Sequence, residues 1–308
     1  MQVSRMQGSL CDLETGCWPP AGSSSGDWRI SLGEWAPELA VLGTEAGGHE
    51  DRRAKRALDA LAQLARGKLY RPPYMVLLTD MSAAWLEDGL AERIYLGLCE
   101  RLGRLDLARG PFYDVYDRKI SGRDHVRYSD TNKSHGFHTD GTASSNWPEL
   151  VGLLCVRQAS SGGMTRLVNI YNIHRRLLDD SPEVLEVLRR DLPRQTRSIP
   201  EGAADRSAVD VYPVLTGRAP DMTLGCRYMR RWVDAGFVMT GQMPSAVVVT
   251  ALDAFDQCLE SDPAMLLFRM RPGELVFLNN RVVLHDREAY QDAEGAPRLM
   301  RRAWLYGA

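Results

Sequence analysis

The sequence predicts a mainly β protein with flanking helices, built as a jelly-roll-type barrel with a ligand in its mouth. Three observations predict it. Helical patterns come first and short strands follow, with more helices set among them, so the regular strand–helix alternation of a dinucleotide-binding fold is missing. The strand-like runs are short, apolar and bounded by Gly and Pro turns. The 308 residues, 44% of them apolar, suffice for one large barrel with added helices.

The bulk properties narrow the partners. With 38 basic against 40 acidic residues the net charge is −2, which favours neither a nucleic acid nor an anionic membrane surface. The six cysteines, Cys11, Cys17, Cys99, Cys155, Cys226 and Cys258, are scattered without a CxxC pair. Cys155 and Cys226 lie in apolar runs and read as small buried hydrophobes. A reducing, cytoplasmic setting fits this usage. Residues 1–5 lead into no apolar stretch of the signal-peptide kind, and no run is long enough to span a bilayer.

Taken in order, residues 1–27 are rich in Gly, Ser and Pro and read as a flexible arm or a segment that orders only on the surface of the fold. Residues 28–308 read as a single domain. A helix is expected over 52–64, with Ala57, Leu58, Leu61 and Leu64 on one side. A buried strand follows over 74–78. Ser82 is placed to cap a helix carrying apolar residues from Trp85 to Leu102. Residues 112–116 alternate like a strand, 150–156 form an apolar core strand, Gly162-Gly163 makes a turn, and 165–168 is extended. Helices are expected over 172–178, 182–192 and 245–259, and extended chain over 209–215 and 222–233. The C-terminal block is again β: 265–270, a Pro272-Gly273 turn, 274–278, 282–285 and 298–306.

The chemistry starts from Ser134-His135-Gly136-Phe137-His138-Thr139-Asp140-Gly141-Thr142. In an extended strand, residues two apart share a face, so His138 and Asp140 aim an imidazole and a carboxylate at one point. Such a set suits Fe, Mn or Zn, and a second histidine would complete a two-His-one-carboxylate triad. Alone, the pair does not separate a metal site from a surface carboxylate beside a half-buried histidine. Far downstream, His285 closes the apolar run Val282-Val283-Leu284. It reads either as a core histidine or as that second imidazole. The run Arg298-Leu299-Met300-Arg301-Arg302-Ala303-Trp304-Leu305 then places arginines in a strand where some must face inward. A buried guanidinium needs an anion, and its fork grips a carboxylate bidentately.

His138-Thr139-Asp140-Gly141, Gly162-Gly163-Met164-Thr165, Asn279 through His285 and Arg298 through Leu305, in that order, resemble the taurine dioxygenase and clavaminate synthase-like family. The resemblance runs from about residue 113 to the C-terminus. It implies a double-stranded β-helix, Fe(II), 2-oxoglutarate as cosubstrate, and O2. By residue-wise carry-over, His138, Asp140 and His285 would hold the iron. Thr165 and Arg298 would hold the distal carboxylate of 2-oxoglutarate, and Arg302 would be a second basic residue near cosubstrate or substrate. The family usually has Glu where this chain has Met164, but the hydroxyl of Thr165 is kept. The implied reaction yields succinate and CO2 and oxidises an unactivated C–H bond, most simply by hydroxylation, with desaturation or cyclisation as alternatives on the same core. Related halogenases lack the carboxylate, so Asp140 speaks against halogenation.

Other histidines are discounted. His135, three before His138, falls on the opposite strand face and reads as surface or a neighbour of the site. His125 and His174 sit among charged residues and read as solvent-facing. The segment around Arg227, Arg230 and Arg231 is either a core strand with charges reaching solvent or a substrate wall. As a wall it asks for an anionic group on a small substrate, an amino acid or antibiotic precursor for instance. The acidic residues after His285 form a polar loop that could meet an amine. Two other classes stay open: a Zn- or Mn-dependent hydrolase, which would need a general base, and a non-catalytic small-molecule-binding barrel.

Overall fold

The computed structural model describes residues 17–18, 28–43, 52–108, 110–120, 128–143, 146–196, 208–217 and 224–307. His49 and His125 lie outside the described residues, as does most of the arm over 1–27. Two arm residues are described, and Trp18 is buried. Its indole Nε1 donates to the Pro73 carbonyl at 2.8 Å, and its backbone exchanges hydrogen bonds with the Asn172 amide.

The strands, in chain order, are β1 (Arg29–Ser31), β2 (Met75–Thr79), β3 (Arg104–Leu105), β4 (Tyr113–Val115), β5 (Leu150–Arg157), β6 (Ser161–Gly162), β7 (Thr165–Asn169) and β8 (Leu192–Gln195). There follow β9 (Val209–Tyr212), β10 (Leu215–Thr216), β11 (Gly225–Cys226), β12 (Leu266–Phe268), β13 (Leu275–Asn279), β14 (Val283–Arg287), β15 (Tyr290–Gln291) and β16 (Leu299–Tyr306). A seven-stranded sheet runs β1-β2-β13-β5-β16-β3, with β4 also on β16. A three-stranded sheet runs β12-β7-β14. The protein is thus made mainly of β-sheets with helices around them.

The two faces of the large sheet follow from the side-chain period of two. Val76 and Leu78 of β2, Leu275 and Phe277 of β13, and Ala303 and Leu305 of β16 pack in one core with the Arg52–Leu69 and Leu90–Leu102 helices. Met75, Leu77, Val276, Leu278 and Met300 point the other way, into a second core that also takes Leu167, Val168, Val283 and Leu284 from β7 and β14. The even-numbered residues of β16, Met300 with Arg302 and Trp304, therefore face the interior between the sheets. Arg301 faces out to Glu92 and Asp114.

Local signals hold at the helix starts. The Ser82 hydroxyl accepts from the Trp85 N–H, and Ser245 accepts from Val248. The single helix expected to end at Leu102 is two, Ala83–Glu87 and Leu90–Leu102, because Gly89 takes a φ of 76° between them. Asn169 caps a helix over Ile170–Asp180, earlier than expected. The helix expected over 182–192 stops at Leu188, and Leu192–Gln195 pairs with β9 instead.

Two expectations are corrected. Extended chain was expected over 222–233, but only Gly225–Cys226 is strand and Arg230–Thr240 is a helix. Alternation over a few residues misled: Val233, Gly236 and Phe237 recur at helical spacing and are the buried face. The polar loop expected after His285 is also structured. β14 continues to Arg287 with Asp286 buried, and Tyr290–Gln291 pairs with Ser161–Gly162. No described helix is long and apolar enough to cross a membrane.

Candidate active site

His138 and His285 face each other across an isolated antiparallel bridge. Each backbone N–H donates to the other's carbonyl, at 3.0 and 2.9 Å. A directly opposed pair carries its side chains on one face, and the two rings lie 4.4 Å apart centre to centre. Asp140 begins a turn rather than continuing a strand, yet its carboxylate meets both rings: His138 Nε2 is 3.8 Å and His285 Nε2 3.9 Å from Asp140 Oδ1. One donor atom from each residue lies within 4.8 Å of the other two. The three side chains named from sequence are brought together.

Their protonation suits a cation. His138 Nδ1 lies 3.0 Å from the Gly136 carbonyl, which can only accept, so the ring N–H is held there and Nε2 keeps its lone pair. Burial, followed by the neighbouring His138, pushes His285 down to about 3, against the pull of Asp140. Burial alone would raise the Asp140 carboxyl. Arg302, His285, His138 and the Trp304 hydrogen bond outweigh it and hold the group at about 2. Arg302 Nη1 is 3.2 Å from both carboxylate oxygens, and Trp304 Nε1 donates to Oδ2 at 2.9 Å. Two imidazoles and one ionised carboxylate form a donor set that fits Fe(II), Mn(II) or Zn(II).

Arg298, immediately before β16, is buried, 4% exposed. Its Nε donates to Gln158 Oε1 at 3.2 Å, while its Nη1 has no acceptor. Burial, then repulsion from Arg287, lowers its pKa to about 10. Thr165 is buried on β7, in register with Arg287. Two residues before it, Gly163 has a φ of 70°, and a Cβ there would stand 3.6 Å from Arg298 Nε. The glycine turn thus runs close to the guanidinium, and its positive φ disfavours a side chain there.

A family model described as taurine catabolism dioxygenase TauD, TfdA family matches residues 75–304. The chain belongs to the TauD/TfdA family. Among its relatives, FR-33289 synthase of Streptomyces rubellomurinus is 28% identical over 206 residues, 61% of this chain and 57% of that protein. Uridine-5'-phosphate dioxygenase of a Streptomyces species is 31% identical over 187 residues, 59% of this chain and 65% of that protein. The chain therefore spans less than two thirds of the length of either. An asparagine oxygenase solved with Fe(II), 2S,3S-3-hydroxyasparagine and succinate superposes with a TM-score of 0.66 at 17% identity, over 91% of this chain and 93% of that one. The oxygenase OrfP with Fe and alpha-ketoglutaric acid gives 0.64 at 15%, over 91% and 94%. These two likenesses establish the shared TauD/TfdA-like fold.

On the side expected to bind substrate, the three arginines part company. Arg227 is buried. Its Nη2 donates to the Thr142 carbonyl at 2.9 Å and its guanidinium lies 3.1 Å from the centre of the Tyr212 ring. Arg230 opens the Arg230–Thr240 helix and is taken up by Asp234, Asp253 and Asp256 at 3.0, 2.8 and 2.9 Å. Arg231 lies on the same helix with its guanidinium 5.8 Å from the Trp232 ring. The two alternating faces expected for an extended chain do not exist there.

Three residues support the site in ways their sequence context did not suggest. Asn280 is fully buried, and its amide grips both sides of the Asp140 peptide: Oδ1 accepts from Asp140 N at 2.8 Å and Nδ2 donates to Asp140 O at 3.0 Å. The same Nδ2 reaches Pro148 O at 2.8 Å. Its signal was an Asn-Asn pair just before the His285 strand, where a polar residue ends an apolar run. Asp286 holds the other side. Its carboxylate accepts from Ser134 Oγ, His135 N and Arg166, fixing the start of the His138 loop. Trp304 completes the set through its bond to Asp140. His135 stands beside the site, its ring 6.0 Å from that of His138. His174, expected to face solvent, is buried against Arg189 at 2.8 Å, because its helix packs its His174 face inward.

Proposed function

We propose that this chain is an Fe(II)- and 2-oxoglutarate-dependent oxygenase that hydroxylates an unactivated C–H bond of a small polar molecule, with succinate and CO2 as coproducts. The observation that carries the reading is the convergence of His138, Asp140 and His285 within 4.8 Å, on a chain of the TauD/TfdA family. These three residues hold the iron. Bound iron and 2-oxoglutarate supply oxidative decarboxylation and activation of O2. The chain's residues do the rest. Asn280 and Asp286 fix the backbone on either side of the His-x-Asp loop, and Gly136 O sets the His138 tautomer. Arg302 and Trp304 keep Asp140 ionised. Arg298, with its open Nη1, and the Thr165 hydroxyl grip the distal carboxylate of the cosubstrate. The buried faces of β13, β14 and β16 exclude water.

In this reading residues 28–308 form one oxygenase domain. The small sheet against the large one is the core of a double-stranded β-helix, and the absence of a disulfide among the described cysteines suits a cytoplasmic setting. The substrate is an amino acid or natural-product precursor. The relatives support this: one is a uridine-5'-phosphate dioxygenase, and the asparagine oxygenase and OrfP are solved with hydroxyasparagine and dihydroxy-L-Arg. Arg227 is the one of the three sequence-chosen arginines retained on the substrate side. Desaturation or cyclisation would use the same residues. A Zn- or Mn-dependent hydrolase would leave the Arg298 grip without a purpose.

The test is spectroscopic and then catalytic. Anaerobic addition of Fe(II) and 2-oxoglutarate should give the weak visible charge-transfer band of a bidentate keto acid. A substrate screen read by succinate formation should then find turnover. No band with wild-type protein, or a band unchanged in His285→Ala, would sink the assignment.

A further inference from the structure

Arg298 is held in place by a neutral group. Strand β5 ends at Arg157, and Gln158 follows it with both ends of its amide engaged. Its Nε2 donates to the carbonyl of the buried Met270 at 2.8 Å. Its Oε1 accepts from the Ala159 N–H at 2.8 Å and from Arg298 Nε at 3.2 Å. These contacts fix which end is oxygen. The turned amide would set N–H against N–H and its oxygen against a carbonyl. Arg269 Nη2 donates to the Ala159 carbonyl and ties down the same stretch. The glycine turn closes over the bond: a Cβ on Gly163 would stand 3.3 Å from Gln158 Oε1 and 3.6 Å from Arg298 Nε. Gln158 Oε1 is the side-chain acceptor on this guanidinium among the described residues. The Asp292 carboxylate, six residues before Arg298, accepts from its backbone N–H at 2.7 Å.

An amide and a carboxylate do different things to an arginine. Either one, bonded at Nε, fixes the guanidinium plane, because the donors of the fork are rigid. That leaves Nη1, buried and without an acceptor, for a ligand. A carboxylate in the place of Gln158 would also supply the counter-charge, and a guanidinium already paired gains little from a second anion. The amide anchors without neutralising. We propose that Gln158 is the positioning residue that aims the Arg298 fork and keeps its charge available, and that it thereby sets the preference of the site for a 2-oxo acid with a distal carboxylate. This rests on the oxygenase reading, in which that acid is 2-oxoglutarate.

The test is equilibrium binding without turnover. The anaerobic charge-transfer band of the full chain with Fe(II) is titrated with 2-oxoglutarate and with 2-oxovalerate, which has the same chain length but ends in a methyl group. The readout is the ratio of the two half-saturating concentrations, since a loss of fold or of iron moves both acids alike. Gln158→Glu should raise the half-saturating 2-oxoglutarate concentration about tenfold or more and leave that of 2-oxovalerate within about twofold. Gln158→Met, similar in size but without either polar contact, should raise the 2-oxoglutarate value by a smaller factor, about threefold, again with 2-oxovalerate unmoved. A Gln158→Glu chain with the wild-type ratio, or one that binds 2-oxoglutarate more tightly than the wild type, overturns the proposal. So does a Gln158→Met chain that keeps the wild-type ratio or weakens both acids equally, which would make the amide a structural strut. If Gln158→Glu does not fold, the Gln158→Met ratio decides; if neither folds, the strut is the answer and the proposal falls. A wild type without the band overturns this inference together with the oxygenase reading, whereas a wild-type band with an unmoved ratio in the variants overturns this inference alone.

Discussion

Asp140 carries its role because its neighbours decide both where it points and what charge it holds. Asn280 supplies the placement, and no other described side chain holds that peptide from both sides. Asn280→Ala should weaken Co(II), used as an Fe(II) surrogate, by about 10–100-fold, the usual range for residues that orient metal ligands. A Co(II) absorbance titration measures it, and an affinity equal to wild type would remove Asn280 from that role. On the cosubstrate side, Arg298→Lys should raise the 2-oxoglutarate requirement sharply, because a point charge does not reproduce the planar fork. Thr165→Val should do so by about 1.5–3 kcal/mol, one hydrogen bond to a charged group. Both are read from the 2-oxoglutarate dependence of the anaerobic band. If Arg302→Lys has the large effect and Arg298→Lys is silent, the roles of these two arginines are exchanged.

At the scale of elements, the Arg230–Thr240 helix lies directly on β8. A Cβ on Gly236 would come within 2.5 Å of the Arg194 nitrogen and the Pro193 carbonyl group. Helix propensity favours Ala over Gly by about 1 kcal/mol, but the obstacle here is backbone and cannot rotate away. Gly236→Ala should therefore destabilise the fold, seen as a lower denaturation midpoint; a higher midpoint would show that the helix can shift off the strand freely. Arg230 joins this helix to the Ala246–Glu260 helix through Asp253 and Asp256. Arg230→Gln should cost up to about 1 kcal/mol, as a partly exposed ion-pair network does, and leave substrate saturation as in wild type. A raised KM with unchanged stability would return Arg230 to the substrate side.

Across the whole molecule, buried neutral histidines set a pH dependence. Burial, and then Arg189, lower His174 to about 4 from an ordinary 6.5. The unfolded chain takes up a proton below about 6.5 that the folded chain refuses. Stability from this residue is complete above that pH, is lost as pH falls towards 4, and changes no further below. The slope is on the order of 1.4 kcal/mol per pH unit for one proton. His174→Gln should flatten the fall in unfolding free energy between pH 6.5 and 4, measured by urea denaturation at several pH values. Parallel curves for the two proteins would mean that His174 titrates normally in the fold. His285 and His135, both near 3, continue the same trend to lower pH.

The sequence by itself determined what short-range pattern and side-chain chemistry can encode. The His-x-Asp pair, the histidine closing an apolar run and the arginines at the last strand point to a cluster of metal-ligand type and to buried guanidinia near it. The period of two places the β2, β13 and β16 side chains, and Ser82 and Ser245 start their helices. Tertiary structure alone decided which polar groups are closed off from water and what answers them. Asn280 grips Asp140 across 140 residues of chain, and Asp286 binds Arg166 across 120. The 230–240 segment becomes helix because Val233, Gly236 and Phe237 find a surface on β8, not because its first residues favour one. Arg194 looks like any arginine in a polar stretch until β9 and that helix cover it. Local propensity is written in neighbours along the chain; the cost of a buried charge or amide depends on partners that only folding brings near.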